Sequence, residues 1–149
     1  MPTVACSRTL PCRREEVWEL VSDPWHLPRW WPRVERVEEV TPEAWTTVMR
    51  SSRGRTVRAD HTRTVAEPPA RLQWRQELEE SPLERVFSEL VMEISLEPAG
   101  EGLTRIELKT VQKLRGRARY GGLMARRAAR RQLDAALDGL AYALRGPEA

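Results

Sequence analysis

Apolar and polar residues alternate along most of the chain between Arg33 and Leu114, whereas the segments on either side recur at three- to four-residue steps. Period two is the spacing of strands with one wet face, and the longer period is that of helices packed along one stripe. Thr3–Leu10 alternates loosely and reads as a first strand. Pro11 ends it, and residues 13–22 set Val17, Trp18, Leu20 and Val21 on one side of a short helix. Pro24 and Pro28 then leave room for only a further helical turn or two before Pro32. Six alternating runs follow, at residues 33–40, 44–52, 56–66, 71–79, 84–97 and 103–114. Their connections are short and rich in Pro, Gly and Ser, which predicts a meander of antiparallel pairs. After Gly116 the helical period returns, with Leu123, Leu133, Leu137, Leu140 and Leu144 on one stripe, so a long helix is expected over residues 119–144 with Gly146-Pro147 as its stop.

A length of 149 residues without a composition shift, linker or internal repeat predicts one domain over residues 1–149. Lys+Arg 25 against Asp+Glu 22 leaves a net charge of only +3, so the surface is nearly balanced and nucleic acid is not expected as a partner. Lys109 and Lys113 are the only lysines, so the positive charge is almost all arginine, including the cluster Arg126, Arg127, Arg130 and Arg131. That cluster reads first as a solvated helix face. If it borders a cavity mouth it favours an anionic ligand or lipid surface. No run approaches the ~20 apolar residues that span a bilayer, and the N-terminus lacks the pattern of a signal peptide, which predicts a cytoplasmic protein without an integral membrane segment. Cys6 and Cys12, with His26 and His61, show no ligand spacing for a metal, and no Gly-rich phosphate loop or GxSxG elbow occurs. Neither a metal nor another cofactor is expected.

A sheet of seven antiparallel strands with one apolar face must cover that face, and the C-terminal helix is the only long amphipathic element available to do so. That order, with the segment VWELVSDPWHLPRWWP at residues 17–32, resembles the START-like (SRPBCC) superfamily of polyketide cyclases/dehydrases, lipid-transport domains and Bet v 1-like plant proteins. The resemblance covers essentially the whole chain. It implies an α+β helix-grip fold, in which a seven-stranded antiparallel sheet wraps around a long C-terminal helix, with two short helices after the first strand. It also implies an elongated cavity for an apolar ligand, without implying one chemistry.

Alternation alone assigns faces to four of the strands. Val57, Ala59, His61, Arg63 and Val65 form one inward set, and Leu72, Trp74, Gln76 and Leu78 the next. Val86, Ser88, Leu90, Met92, Ile94 and Leu96 form the third, and Ile106, Leu108, Thr110 and Gln112 the fourth. Polar residues that interrupt apolar faces are what a small-molecule site needs to orient its ligand. The expected binding residues are Trp30, Trp31, Met49, His61, Trp74, Gln76, Ser88, Met92, Thr110 and Gln112, joined by Leu123 and Arg127 of the helix. One of Trp30 and Trp31 should look inward.

The leading expectation is a carrier or sensor that binds a hydrophobic small molecule, an aromatic polyketide-like compound or a lipid, between sheet and helix. The alternative is a polyketide cyclase, aromatase or dehydratase using His61 and Arg63 as acid/base candidates. Action through protein contacts, as in a stress response, is a third reading, and the sequence leaves open whether the chain forms a homodimer.

Overall fold

The computed structural model describes residues 3–51, 53–81, 83–116 and 121–145. Strand β1 (Thr3–Leu10) leads into helix α1 (Arg14–Ser22), a single 3-10 turn (Pro24–His26) and α2 (Leu27–Trp30). Then come β2 (Val34–Glu38), β3 (Ala44–Arg50), β4 (Thr56–Glu67), β5 (Arg71–Glu77), β6 (Phe87–Gly100) and β7 (Leu103–Leu114), and the chain closes with α3 (Gly122–Arg145). The strands form one seven-stranded antiparallel sheet in the order β1-β7-β6-β5-β4-β3-β2. Consecutive strands from β2 to β7 pair with one another, and β1 adds to the β7 edge, so the sheet is a meander with one long return.

The tight connections sit where the sequence supplies the backbone freedom. Gly54 between β3 and β4 has φ 78°, and Gly102 between β6 and β7 has φ 68°. Strand β2 is shorter than its alternating run because Arg33 and Glu39 at its ends adopt positive φ values of 65° and 52°. The chain likewise leaves β5 at Glu77 instead of Glu79 and re-enters β6 at Phe87 instead of Glu84. Glu80 turns back with φ 63°, and the Ser81 and Phe87 amides close turns onto the Leu78 and Leu83 carbonyls. The expected helix start at residue 119 and its stop at residues 146–147 lie outside the described residues.

The concave face of the sheet and α3 enclose the core. Leu10, Leu72, Ile94, Leu96, Ile106 and Leu108 from the strands meet Leu133, Leu137 and Leu140 from α3, all fully buried. Helix α3 packs on β1, β7 and α2. Its buried stripe begins only at Ala129, so its first two turns carry Leu123 and Met124 exposed. The core therefore fills one end of the grip, and the end bounded by β3 to β7 is left to the cavity.

Candidate functional site

Register builds the inner face of that end. Trp45 of β3 lies opposite His61 of β4, and Thr47 opposite Ala59. His61 in turn lies opposite Gln76 of β5, and Arg63 opposite Trp74. Trp74 pairs with Met92 of β6, Met92 with Thr110 of β7, and Leu90 with Gln112. Residues directly opposite on an antiparallel pair share a face, so these rows form one continuous wall.

The wall encloses a cavity of about 250 Å³. Its aromatic part is Trp31, Trp45, Trp74 and Phe87, and its aliphatic part includes Leu27, Met49, Val57, Leu83, Leu90 and Met92. Thr47, His61, Gln76, Thr110, Gln112 and the exposed Gln132 of α3 are the polar groups, and among the described residues no Asp, Glu, Lys or Arg lines it. Trp45 anchors the aromatic side: its ring stacks on His61 at 5.8 Å between centroids and meets Trp74 edge-on at 5.5 Å.

His61 is held neutral. Burial pushes its imidazole down from the usual 6.5 to about 4, with only partial opposition from the carboxylates of Asp60 and Glu77. Its Nε2 lies 3.2 Å from Thr47 Oγ1, which also approaches the Ala59 carbonyl at 3.4 Å. A threonine hydroxyl that donates to that carbonyl accepts from Nε2–H, which leaves Nδ1 as a lone-pair acceptor. Nδ1 is buried and has no hydrogen-bond partner among the described residues, and the same holds for Trp45 Nε1 and Gln112 Oε1. Three cavity-lining residues thus carry polar atoms unspent among the described residues, and buried polar atoms are ordinarily satisfied.

Of the residues expected from the sequence, Trp31, Met49, His61, Trp74, Gln76, Met92, Thr110 and Gln112 come together around this cavity. Trp30 does not. It is a core residue only 2% exposed, packed under α3 and edge-on to Trp31. Arg63 shares the inner face but turns to the end of α1, where its guanidinium donates to the Ser22 carbonyl and lies 5.5 Å from the Trp45 ring centre. A last-turn helix carbonyl has no partner in its own helix, so the contact satisfies it and favours the cation.

Ser88 is displaced by a bulge between Phe87 and Glu89, which brings Phe87 to the inner face and leaves Ser88 exposed. A second bulge, between Arg63 and Val65, sets Val65 opposite Gln73 and so on the outer face. Leu123 is 64% exposed, and Arg127 is exposed beside it on the overhanging turns of α3. The lining that the expected list lacked comes partly from strands, as with Trp45 and Thr47, which share the face of Met49 by alternation. Leu27, Leu83 and Gln132 come from a short helix, a turn and α3, where no strand period assigns a direction.

The sequence matches the family model described as polyketide cyclase / dehydrase and lipid transport over residues 1–145. The chain belongs to this polyketide cyclase/dehydrase and lipid-transport family. No curated protein sequence matches it. Among solved structures, the di-domain ARO/CYC BexL of the BE-7585A biosynthetic pathway superposes with TM-score 0.82 at 20% identity, over 97% of this chain and 47% of BexL. A Thermus thermophilus protein superposes with TM-score 0.76 at 22% identity, over 99% of this chain and 100% of its own. A START superfamily protein from Mycobacterium smegmatis gives 0.75 at 15% identity, over 93% and 94% of the two chains. These likenesses establish the helix-grip fold that the family shares. Among the described residues, no helix of this family member is long and apolar enough to cross a membrane.

Proposed function

We propose that this family member binds a neutral, mainly apolar ligand of about one or two rings in the cavity between sheet and α3, as a carrier or sensor. The observation that carries the reading is a cavity of about 250 Å³ whose described lining is uncharged and holds three polar atoms without a partner among the described residues. The volume lies above the ~150 Å³ that takes benzene and just below the ~300–1,000 Å³ of ordinary small-molecule sites. Apolar contact with Trp45, Trp74 and Met92 supplies affinity, at ~25 cal/mol per Å² buried. His61 Nδ1 accepts from a ligand hydroxyl, and Trp45 Nε1 donates to a ligand oxygen. Among the described residues no cation lines the cavity, which argues against fatty acids and phosphorylated lipids as ligands, since a buried anion needs a partner.

A second reading, acid/base turnover of a polyketide-like substrate, is supported by the same neutral His61 in an apolar site, without Arg63, which is engaged at Ser22. The two readings separate on one variant. Under the carrier reading, His61→Ala weakens ligand binding by about 0.5–1.5 kcal/mol, roughly two- to tenfold, as for one net hydrogen bond. Under the enzyme reading, the same variant loses on the order of 10²–10⁴-fold in rate with little change in affinity. Titration and turnover assays of both proteins with naphthols and small aromatic polyketides make the distinction. A large rate loss at unchanged affinity would replace the carrier reading by the enzyme one.

A further inference from the structure

Between β5 and β6 the sheet is zipped along only part of its length. These strands pair from Arg71 opposite Ser95 to Arg75 opposite Val91 and then stop, although both continue. Strand β5 stays paired with β4 through Glu77 opposite Asp60, and β6 with β7 from Phe87 opposite Leu114. One more step of the β5–β6 register would set Gln76 against Leu90, and the next Glu77 against Glu89. Like charges directly opposite destabilise a ladder. The two carboxylates are instead held apart: Thr62 Oγ1 of β4 donates to Glu77 at 2.8 Å, and Lys113 Nζ of β7 lies 2.8 Å from Glu89.

A second hollow, of about 390 Å³, lies along this unzipped seam, lined by Glu77, Glu79, Glu84 and Glu89 with Arg75 and Arg115. Gln76 and Leu90 line both this hollow and the cavity. The residues at which the ladder stops are therefore the ones the two spaces have in common.

We propose that the β5–β6 seam is the passage by which ligand enters and leaves the cavity, gated by Gln76 and Leu90, and that its acidic mouth passes neutral ligands in preference to anions. The proposal rests on the ligand-binding reading above. The seam stays open because closing it would bring Glu77 and Glu89 together, and the excess of carboxylates over guanidinium groups among the described residues of the mouth repels an approaching anion.

The test uses stopped-flow fluorescence with prodan, a neutral naphthalene probe, on the wild-type chain, on Gln76→Cys/Leu90→Cys, and on Glu77→Val/Glu89→Val, which removes the repulsion. Wild-type protein taken through the same oxidation controls for Cys6 and Cys12, and mass spectrometry verifies the new disulfide. Oxidation of the cysteine pair is expected to slow association and dissociation together by about tenfold or more relative to the reduced form of the same variant, with the Kd of the two forms within about twofold of each other, and reduction to restore both rates. The valine pair is expected to shift both rates the same way. If oxidation leaves the exchange rate of the cysteine variant unchanged and the valine pair exchanges prodan at the wild-type rate, both still binding it, the passage lies elsewhere and the proposal fails, with the ligand-binding reading intact. If wild-type protein and the reduced cysteine variant do not bind prodan at all, both fail together. Charge selection is read from Glu79→Gln/Glu84→Gln at low salt, which should raise the association rate of 1-naphthoate several-fold and leave that of prodan alone. Equal effects on the two probes would overturn that part.

Discussion

Replacing Gly139 with alanine is expected to lower the melting temperature by roughly 10 °C. A Cβ at this position would lie 2.3 Å from the Trp30 carbonyl oxygen and 3.0 Å from its carbonyl carbon and Cα. Favourable heavy-atom contacts sit at ~3.5–4.0 Å, and the obstacle is backbone, which cannot rotate aside as a side chain does. Alanine is the better helix former by ~1 kcal/mol, so the sign of the change depends on whether the clash outweighs the propensity. At 2.3 Å it does. Helix α2 must lift from α3, which disturbs the buried Trp30 and the Trp31 ring that lines the cavity. We expect a net loss of about 3 kcal/mol, read by thermal denaturation followed by circular dichroism. An unchanged or raised melting temperature would mean that α2 and α3 do not approach so closely.

The second large effect is on acid stability. His61 has its imidazole lowered from 6.5 to about 4 by burial, so below pH 6.5 the unfolded chain takes up a proton that the folded chain refuses. The contribution is fully present above pH 6.5, falls as pH drops from there towards 4, and is flat below. The difference amounts to about 3 kcal/mol across that window. His61→Gln keeps a polar partner for Thr47 and does not titrate. Urea unfolding of both proteins at pH 7, 5.5 and 4 should show wild-type stability falling by about 3 kcal/mol more than that of the variant. Parallel pH profiles would show that His61 is not buried as described.

Much of this geometry is written in the alternation of the strands, and its failures have a physical pattern. Trp74, Gln76, Met92, Thr110 and Gln112 follow from period two because their strands run without interruption through the paired region. Ser88 and Val65 fail because a single extra residue in a bulge reverses the alternation on one side of it relative to the other, and nothing in the local composition marks where it falls. Leu123 and Arg127 fail for a different reason. The helical period continues through the first turns of α3, but the helix is buried only from Ala129 onward. Between Trp30 and Trp31 the choice depends on which ring fits beneath α3, and the glycine at position 139 that admits the Trp30 backbone is far away in sequence.

The central claim is that an apolar ligand occupies the space between Trp45, Trp74 and His61. Ala59 lies on the floor of that space, opposite Thr47, and is 5% exposed. The most direct measurement is a prodan titration, followed by its blue shift, of the wild-type chain and of Ala59→Phe, with circular dichroism to show that the variant is folded. We predict saturable one-to-one binding to the wild type and at least about a tenfold loss in the folded variant, whose added ring takes up volume the ligand needs. Equal binding by the two proteins, or none by the wild type, would contradict the account.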